Sequence, residues 1–211
     1  MGRTRDVSKI LTSNTSILTL ASASSVYQTI EKTGLVEITP STISVSGGSG
    51  SISTTGAVSF TSASSISLNG IFNATYNFYK LVIAGTSSGD VGLYGRYRVL
   101  NSDETGANYS YTGVYTNNAA GPSRSRDAGS TSHYLGSTGS NGFGCEVTLF
   151  NPFSTSHKKI HTVNCFTNYA ADREFYASGG QYNATTSYDS YSCYLSSGTF
   201  TGTVSLYGYN K

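Results

Sequence analysis

Charge is what this sequence has least of. Lys and Arg number 13 and Asp and Glu 11, together 11% of 211 residues, where a soluble domain usually carries about a quarter. The signs nearly cancel to a formal +2, so no field gathers a polyanion, and neither nucleic acid nor an acidic membrane surface is implied as a partner. No apolar run approaches the roughly 20 residues of a membrane-crossing helix, so no membrane insertion is expected. The opening Met1-Gly-Arg-Thr-Arg-Asp6 leads into no apolar signal segment. Tryptophan is absent, methionine occurs once and proline three times. Cys145, Cys165 and Cys193 are odd in number and widely spaced. They read as small buried hydrophobes of a chain made in a reducing cytoplasm, not as a disulfide framework or a zinc site. Strong helix formers are thin.

What is present favours strands. Glycine (24) and tyrosine (17) are abundant, and serine, threonine, valine and isoleucine fill much of the rest. The composition changes near residue 65: residues 1–65 hold one tyrosine, Tyr27, and residues 66–211 hold the other 16. This predicts an N-terminal docking or oligomerisation arm over 1–65 and a β-sandwich domain over 66–211. Arg3 and Arg5, interrupted by Asp6, precede Val7, Ile10 and Leu11 at helix-like spacing; these five residues are the candidate partner-docking contacts, against the plainer reading of a solvated arm. From residue 35 the apolar period becomes two, with Ile43 and Val45, then Ile52, Val58 and Phe60, then Ile66 and Leu68, punctuated by Gly47, Gly48 and Gly50. Short alternating strands with one small apolar face each cannot fold alone. They must join a sheet, in this chain or in a neighbouring copy.

Longer strands follow, at Phe78–Ala84, Val91–Leu100, Tyr109–Tyr115, Gly144–Phe150, Lys159–Asn168, Arg173–Ala177, Ser190–Leu195 and Phe200–Tyr209. About eight strands joined by turns, with no helical stripe and no fixed-period repeat, predict an all-β fold: an antiparallel sandwich, jelly-roll-like, preceded by an extended arm of short strands. Residues 117–131 are polar and turn-rich, so they are expected to form an exposed loop, with Arg124 and Arg126 as candidate surface contacts.

The residues that carry chemistry form no catalytic constellation. There is no Gly-x-Ser-x-Gly turn, no phosphate-cradling loop before a helix and no His-Glu-x-x-His. His157 and His161 share a face of a strand, but a metal needs further ligands that no nearby carboxylate supplies; His133 stands alone. Asp103-Glu104 beside Gly106 reads as a turn. No catalytic, cofactor or metal site is expected, and a polysaccharide hydrolase ranks lowest among the readings. The tyrosines fit either cross-strand packing or a stiff recognition surface. Tyr182, Tyr188, Tyr191 and Tyr194, with Asn183 and Asp189 between, are the candidate recognition cluster.

One resemblance adds to this. The stretch Val58-Ser-Phe-Thr-Ser-Ala-Ser-Ser-Ile-Ser-Leu-Asn-Gly-Ile-Phe-Asn-Ala-Thr-Tyr-Asn-Phe-Tyr-Lys-Leu-Val-Ile83 resembles the opening of a β-sandwich module of tailed-bacteriophage virion proteins, and Phe200-Thr-Gly-Thr-Val-Ser-Leu-Tyr-Gly-Tyr209 resembles its last strand. Gly2-Arg-Thr-Arg-Asp-Val-Ser-Lys-Ile-Leu-Thr-Ser-Asn14 is similar to the N-termini of fibre-like proteins of marine and cyanobacterial phages. The resemblance implies a virion component assembled in the host cytoplasm: a tail fibre or spike, or alternatively a capsid-surface decoration or adaptor protein. It implies homo-oligomers, trimers by analogy with phage fibres, docked on tail, connector or capsid proteins and able to meet a host glycan or protein. It brings no catalytic residues.

Overall fold

A computed structural model describes residues 34–118, 121–168 and 172–209. The docking candidates Arg3, Arg5, Val7, Ile10 and Leu11 lie outside the described residues. Among the described residues there are sixteen strands and no helix. Numbered in chain order, the first five are β1 (Leu35–Glu37), β2 (Thr42–Ser46), β3 (Ser49–Ile52), β4 (Val58–Ala63) and β5 (Ser65–Asn69). Then come β6 (Phe78–Ser87), β7 (Val91–Val99), β8 (Ser102–Asp103), β9 (Tyr109–Asn117), β10 (Ser123–Ser130) and β11 (His133–Thr138). The last are β12 (Phe143–Phe150), β13 (Lys159–Asn168), β14 (Arg173–Tyr182), β15 (Ser190–Leu195) and β16 (Phe200–Tyr209). They form two antiparallel sheets packed face to face, a β-sandwich as the strand–turn pattern predicts. The wide sheet has ten strands, β10-β9-β14-β13-β12-β6-β16-β4-β3 with β1 beside β16. The narrow sheet has six, β11-β7-β15-β5-β2 with β8 beside β7.

The alternation that marks these strands is the alternation of burial. On β13, Lys159, His161, Val163, Cys165 and Thr167 point inward and are buried, while Ile160, Thr162, Asn164 and Phe166 face solvent. One half of the core is aliphatic, around Val58, Leu81, Ile83, Val147, Leu149, Val204 and Leu206, each such side chain contributing about 1.5–3 kcal/mol by leaving water. The other half is aromatic and polar.

The sequence pattern misplaces three features. Strand pairing does not break at residue 65: β2 pairs with β5, β3 with β4, and β4 with β16, so residues 35–63 are built into the same two sheets. The short strands find their sheet within this chain. Residues 117–131 are not a loop but mostly β10, the edge strand of the wide sheet, because Ser123 to Ala128 alternate against β9. And β11, rich in small and polar residues (His-Tyr-Leu-Gly-Ser-Thr), is a strand that the apolar pattern does not reveal.

The centre of the wide sheet depends on a glycine pair. Gly85 and Gly202 face each other across β6 and β16, beside a register shift between Phe200 and Gly202. A Cβ on Gly202 would sit 2.0 Å from the Ala84 carbonyl oxygen, and one on Gly85 2.1 Å from that of Thr201. Both obstacles are backbone, which cannot rotate away. Gly202→Ala is therefore expected to cost about 1–3 kcal/mol by overpacking, read as a lower urea midpoint. Gly144→Ala on the neighbouring β12, where a Cβ meets nothing within 4 Å, should stay within about 0.5 kcal/mol of wild type. Equal midpoints for the two variants would contradict the close approach.

Candidate functional site

Three of the four tyrosines of the expected recognition cluster are not on the surface, and the fourth, Tyr194 on β15, is half-buried. Tyr182, Tyr188 and Tyr191 are buried, on inward-facing positions of β14, the segment before β15, and β15 itself. The physical reason is register: Tyr182 lies opposite Tyr109 across β14 and β9, and Tyr191 opposite Tyr97 across β15 and β7. The five rings pack with His133 and His161 into one cluster. Tyr97 and Tyr188 centroids are 5.2 Å apart, Tyr109 and Tyr182 4.3 Å, Tyr109 and His133 4.6 Å, and His133 and His161 3.7 Å. The Tyr109 hydroxyl accepts from the Tyr97 amide (3.1 Å) and donates to the Glu104 carbonyl (3.0 Å). The Tyr191 hydroxyl is 3.1 Å from His133 Nδ1. The Tyr97 hydroxyl, His133 Nε2 and both His161 ring nitrogens are buried without a protein partner.

This interior disfavours charge. Burial holds His161 down at about 4, and burial followed by the neighbouring His161 holds His133 well below its ordinary value. Lys159 is buried too; its ammonium donates to the carbonyls of Ser154 and His157, and desolvation lowers it to about 8. His157 does not share a site with His161. It is exposed, with Nδ1 3.1 Å from the Ser154 hydroxyl, whereas His161 turns inward to His133. Among the described residues no group of three or more His, Cys, Asp or Glu could hold a metal ion. The cysteines are free and buried. Cys145 and Cys165 face each other across β12 and β13, hydrogen bonding to Cys165 and burial push the Cys145 thiol well above its ordinary value, and burial pushes Cys193 to about 12. Such thiols are poor nucleophiles. The cluster is part of the core.

A group of partly exposed tyrosines lies elsewhere. β11, the edge of the narrow sheet, sits over β13 and β14, so the wide sheet projects beyond it as β9 and β10. The inner face of this overhang and the rim of the narrow sheet enclose a cleft of about 480 Å³, lined by Gly92, Tyr94, Tyr111, Tyr115, Ser125, Tyr134 and Glu174. All four tyrosines are half-buried. Tyr134 is central to them: its centroid lies 5.4 Å from Tyr94, 6.2 Å from Tyr111 and 5.0 Å from the buried Tyr176. On its other side Tyr94 stacks on Tyr194 at 5.5 Å and 22°, and Arg96 lies 4.5 Å over the Tyr194 ring. Tyr94 lies close against the backbone of residue 92, where a Cβ would be 2.8 Å from its ring, so only glycine there leaves the ring in place. A polar chain crosses the cleft: the Tyr134 and Ser137 hydroxyls are 2.9 Å apart, and Ser137 donates to Glu174 Oε1 at 2.8 Å. Burial, then neighbouring Tyr176 and Asp127, raise Tyr111 to about 12, so its hydroxyl keeps its proton and remains a donor.

Arg124 and Arg126 are exposed, as expected, but on the opposite face of β10 from this cleft, in register with Val114 and Thr112. They belong to the outer face of the wide sheet, as does a row of apolar side chains that are exposed except for the half-buried Phe150. Leu35, Tyr209, Phe78, Phe150 and Ile160 are successive register partners across β1, β16, β6, β12 and β13. Leu35 is 49% exposed, Phe78 43% and Ile160 48%. Scattered apolar residues on a surface need no explanation, but a continuous row does.

No protein-family model matches the chain, and no curated protein matches it.

Proposed function

We propose that the chain is a non-catalytic structural protein of a tailed-phage virion, a tail-fibre or spike component that docks through its N-terminal residues and displays the sandwich toward a host surface. The observation that carries the reading joins sequence to fold. The two phage-like stretches, residues 58–83 and 200–209, are far apart in sequence. They supply β4, β5, β6 and β16; β4 and β6 flank β16 in the wide sheet, and β5 belongs to the narrow sheet. Three of these four strands are neighbours in the wide sheet, and this adjacency of segments distant in sequence supports reading them as parts of one module. The tyrosine cleft lies outside these strands, on β7, β9, β10, β11 and β14, where variation for a particular host leaves the module intact. The apolar row supports self-association, since copies of the chain packed on it would cover surface that water disfavours.

The test is composition of the particle. Peptides of this chain are expected from gradient-purified phage particles, at a copy number divisible by three, and native mass measurement of the purified chain should give an oligomer that Ile160→Asp with Phe78→Asp weakens. Absence of the chain from intact particles would overturn the virion reading, and a strict monomer would remove the fibre form of it.

A further inference from the structure

We infer that the tyrosine cleft between the wide-sheet overhang and the narrow-sheet rim binds a neutral pyranose saccharide. This rests on reading the cleft as the chain's contact with a host surface.

Three properties of the cleft select that ligand class. The first is the pairing of flat apolar faces with hydroxyl chemistry. A pyranose ring has a C–H face that lies on an aromatic ring and a rim of hydroxyls that both donate and accept. Tyr94, Tyr111, Tyr115 and Tyr134 offer ring faces, while their phenols, the Ser125 hydroxyl and the Glu174 carboxylate offer partners for the rim. A purely apolar ligand would leave those polar groups unpaired at a cost.

The second is rigidity. Tyr134 is held by contacts to Tyr94, Tyr111 and Tyr176 and by the hydrogen bond to Ser137. Glu174 is held by Ser137 from the same chain of bonds. The Tyr134 ring and the carboxylate are in place before a ligand arrives, so little freedom of these two side chains is lost on binding. A cleft of about 480 Å³ is in the small-ligand range.

The third is charge, which separates neutral sugars from acidic ones. Glu174 lines the cleft, and Asp127 is the register partner of Tyr111 on the same inward side of β10. The nearest cation on the rim, Arg96, is engaged: it lies on the Tyr194 ring, its Nε donates to the Thr131 carbonyl at 3.0 Å, and it is 3.7 Å from the Asp103 carboxylate. A uronic acid, a sialic acid or a sulfated sugar would meet two carboxylates and, among the described residues that line the cleft, no cation. A hexose or N-acetylhexosamine meets an acceptor that its hydroxyls satisfy with charge-assisted bonds.

The experiment uses the full chain on an array of neutral, amino-substituted and acidic glycans, then titration calorimetry with the best neutral oligosaccharide. Neutral glycans are expected to bind and acidic ones not. Tyr111→Ala and Tyr115→Ala should each weaken binding at least about tenfold, Tyr111→Phe should keep most of it, and Arg124→Ala on the opposite face should change nothing. Glu174→Gln preserves volume and so tests the carboxylate without emptying the site; it should weaken a neutral ligand. Preference for acidic glycans, or tighter binding by Glu174→Gln, overturns the inference, as does a neutral ligand whose affinity survives both alanine variants in folded protein. Chain that labels host cells yet binds no neutral glycan leaves the host-contact reading standing and defeats the saccharide. Particles without the chain defeat the virion reading whatever the array returns.

Discussion

Tyr97→Ala should cost the fold about 3–5 kcal/mol, whereas Tyr97→Phe should cost nothing. Tyr97 is fully buried on β7 and meets Phe72, Tyr109, His133, Tyr182, Tyr188 and Tyr191 at ring-centroid distances between 5.2 and 6.4 Å. Truncation to alanine removes the ring about which two sheets converge, and neighbours that are themselves large and mutually braced cannot collapse into the space, which is the condition for the upper end of the cavity penalty. The hydroxyl is a separate matter. It is buried without a protein partner, so removing it relieves desolvation and breaks no bond, and Tyr97→Phe should be neutral or stabilising by up to about 1 kcal/mol. Tyr109 is the internal comparison. Its hydroxyl accepts from the Tyr97 amide and donates to the Glu104 carbonyl, so Tyr109→Phe strands two backbone groups and should cost about 1–3 kcal/mol. Urea midpoints of the three variants test this directly. If Tyr97→Phe and Tyr109→Phe lose the same amount, the distinction between an orphan and a bonded hydroxyl is wrong.

The same residues show what the sequence could and could not say. The fold class was legible because burial follows a period of two: β13 alternates strictly, and so do β12 and β2. Two of the edge strands, β10 and β11, were not. β10 (Ser-Arg-Ser-Arg-Asp-Ala-Gly-Ser) carries no apolar face because nothing covers it, and such a strand is written like a loop. Its pairing comes from backbone bonds to β9, which leave no mark on side-chain identity. β11 failed for another reason: at its register shift Gly136 takes φ 120° against Cys165, which interrupts the alternation. The candidate site failed with it. Tyrosine is equally at home packed or exposed, so spacing alone could not separate the core rings Tyr182, Tyr188 and Tyr191 from the cleft rings Tyr111, Tyr115 and Tyr134. What separates them is the difference in width between the two sheets, a property of strand order that no local pattern encodes. Tyr109 and Tyr111, on the same side of β9, make the point: the first lies under the narrow sheet and is buried, the second lies at its rim and is half exposed.

Acid should open the molecule from the narrow-sheet edge. His133 and His161 stack at 3.7 Å with three ring nitrogens unpartnered; burial holds His161 at about 4 and lowers His133 as well. Each folded value is below the ordinary 6.5, so the unfolded chain takes up protons first as pH falls. The stability is full above about pH 6.5 and drains away between there and pH 4. From the His161 value alone, about 2 kcal/mol is lost by pH 5 and about 3 kcal/mol by pH 4, and His133 adds to this. The window from pH 7 to 5 spans the ordinary histidine value, where the unfolded chain takes up its protons. Urea midpoints should fall across it in wild type, and His161→Leu, which removes the titrating ring from an interior that offers it no bond, should flatten the slope. The location of the loss is also fixed. His133 is on β11, held to its sheet by β7 alone, while His161 is on β13, with partners on both sides. Protonation of either ring places a charge between the sheets, and the strand with one neighbour yields. Amide exchange at pH 5 should therefore accelerate in β11 while β6 and β16 stay protected, and because β11 carries Tyr134, the tyrosine cleft should lose its order with it. Exchange that rises uniformly across both sheets, or a midpoint flat from pH 7 to 5, would show that the two histidines are not the acid-sensitive element.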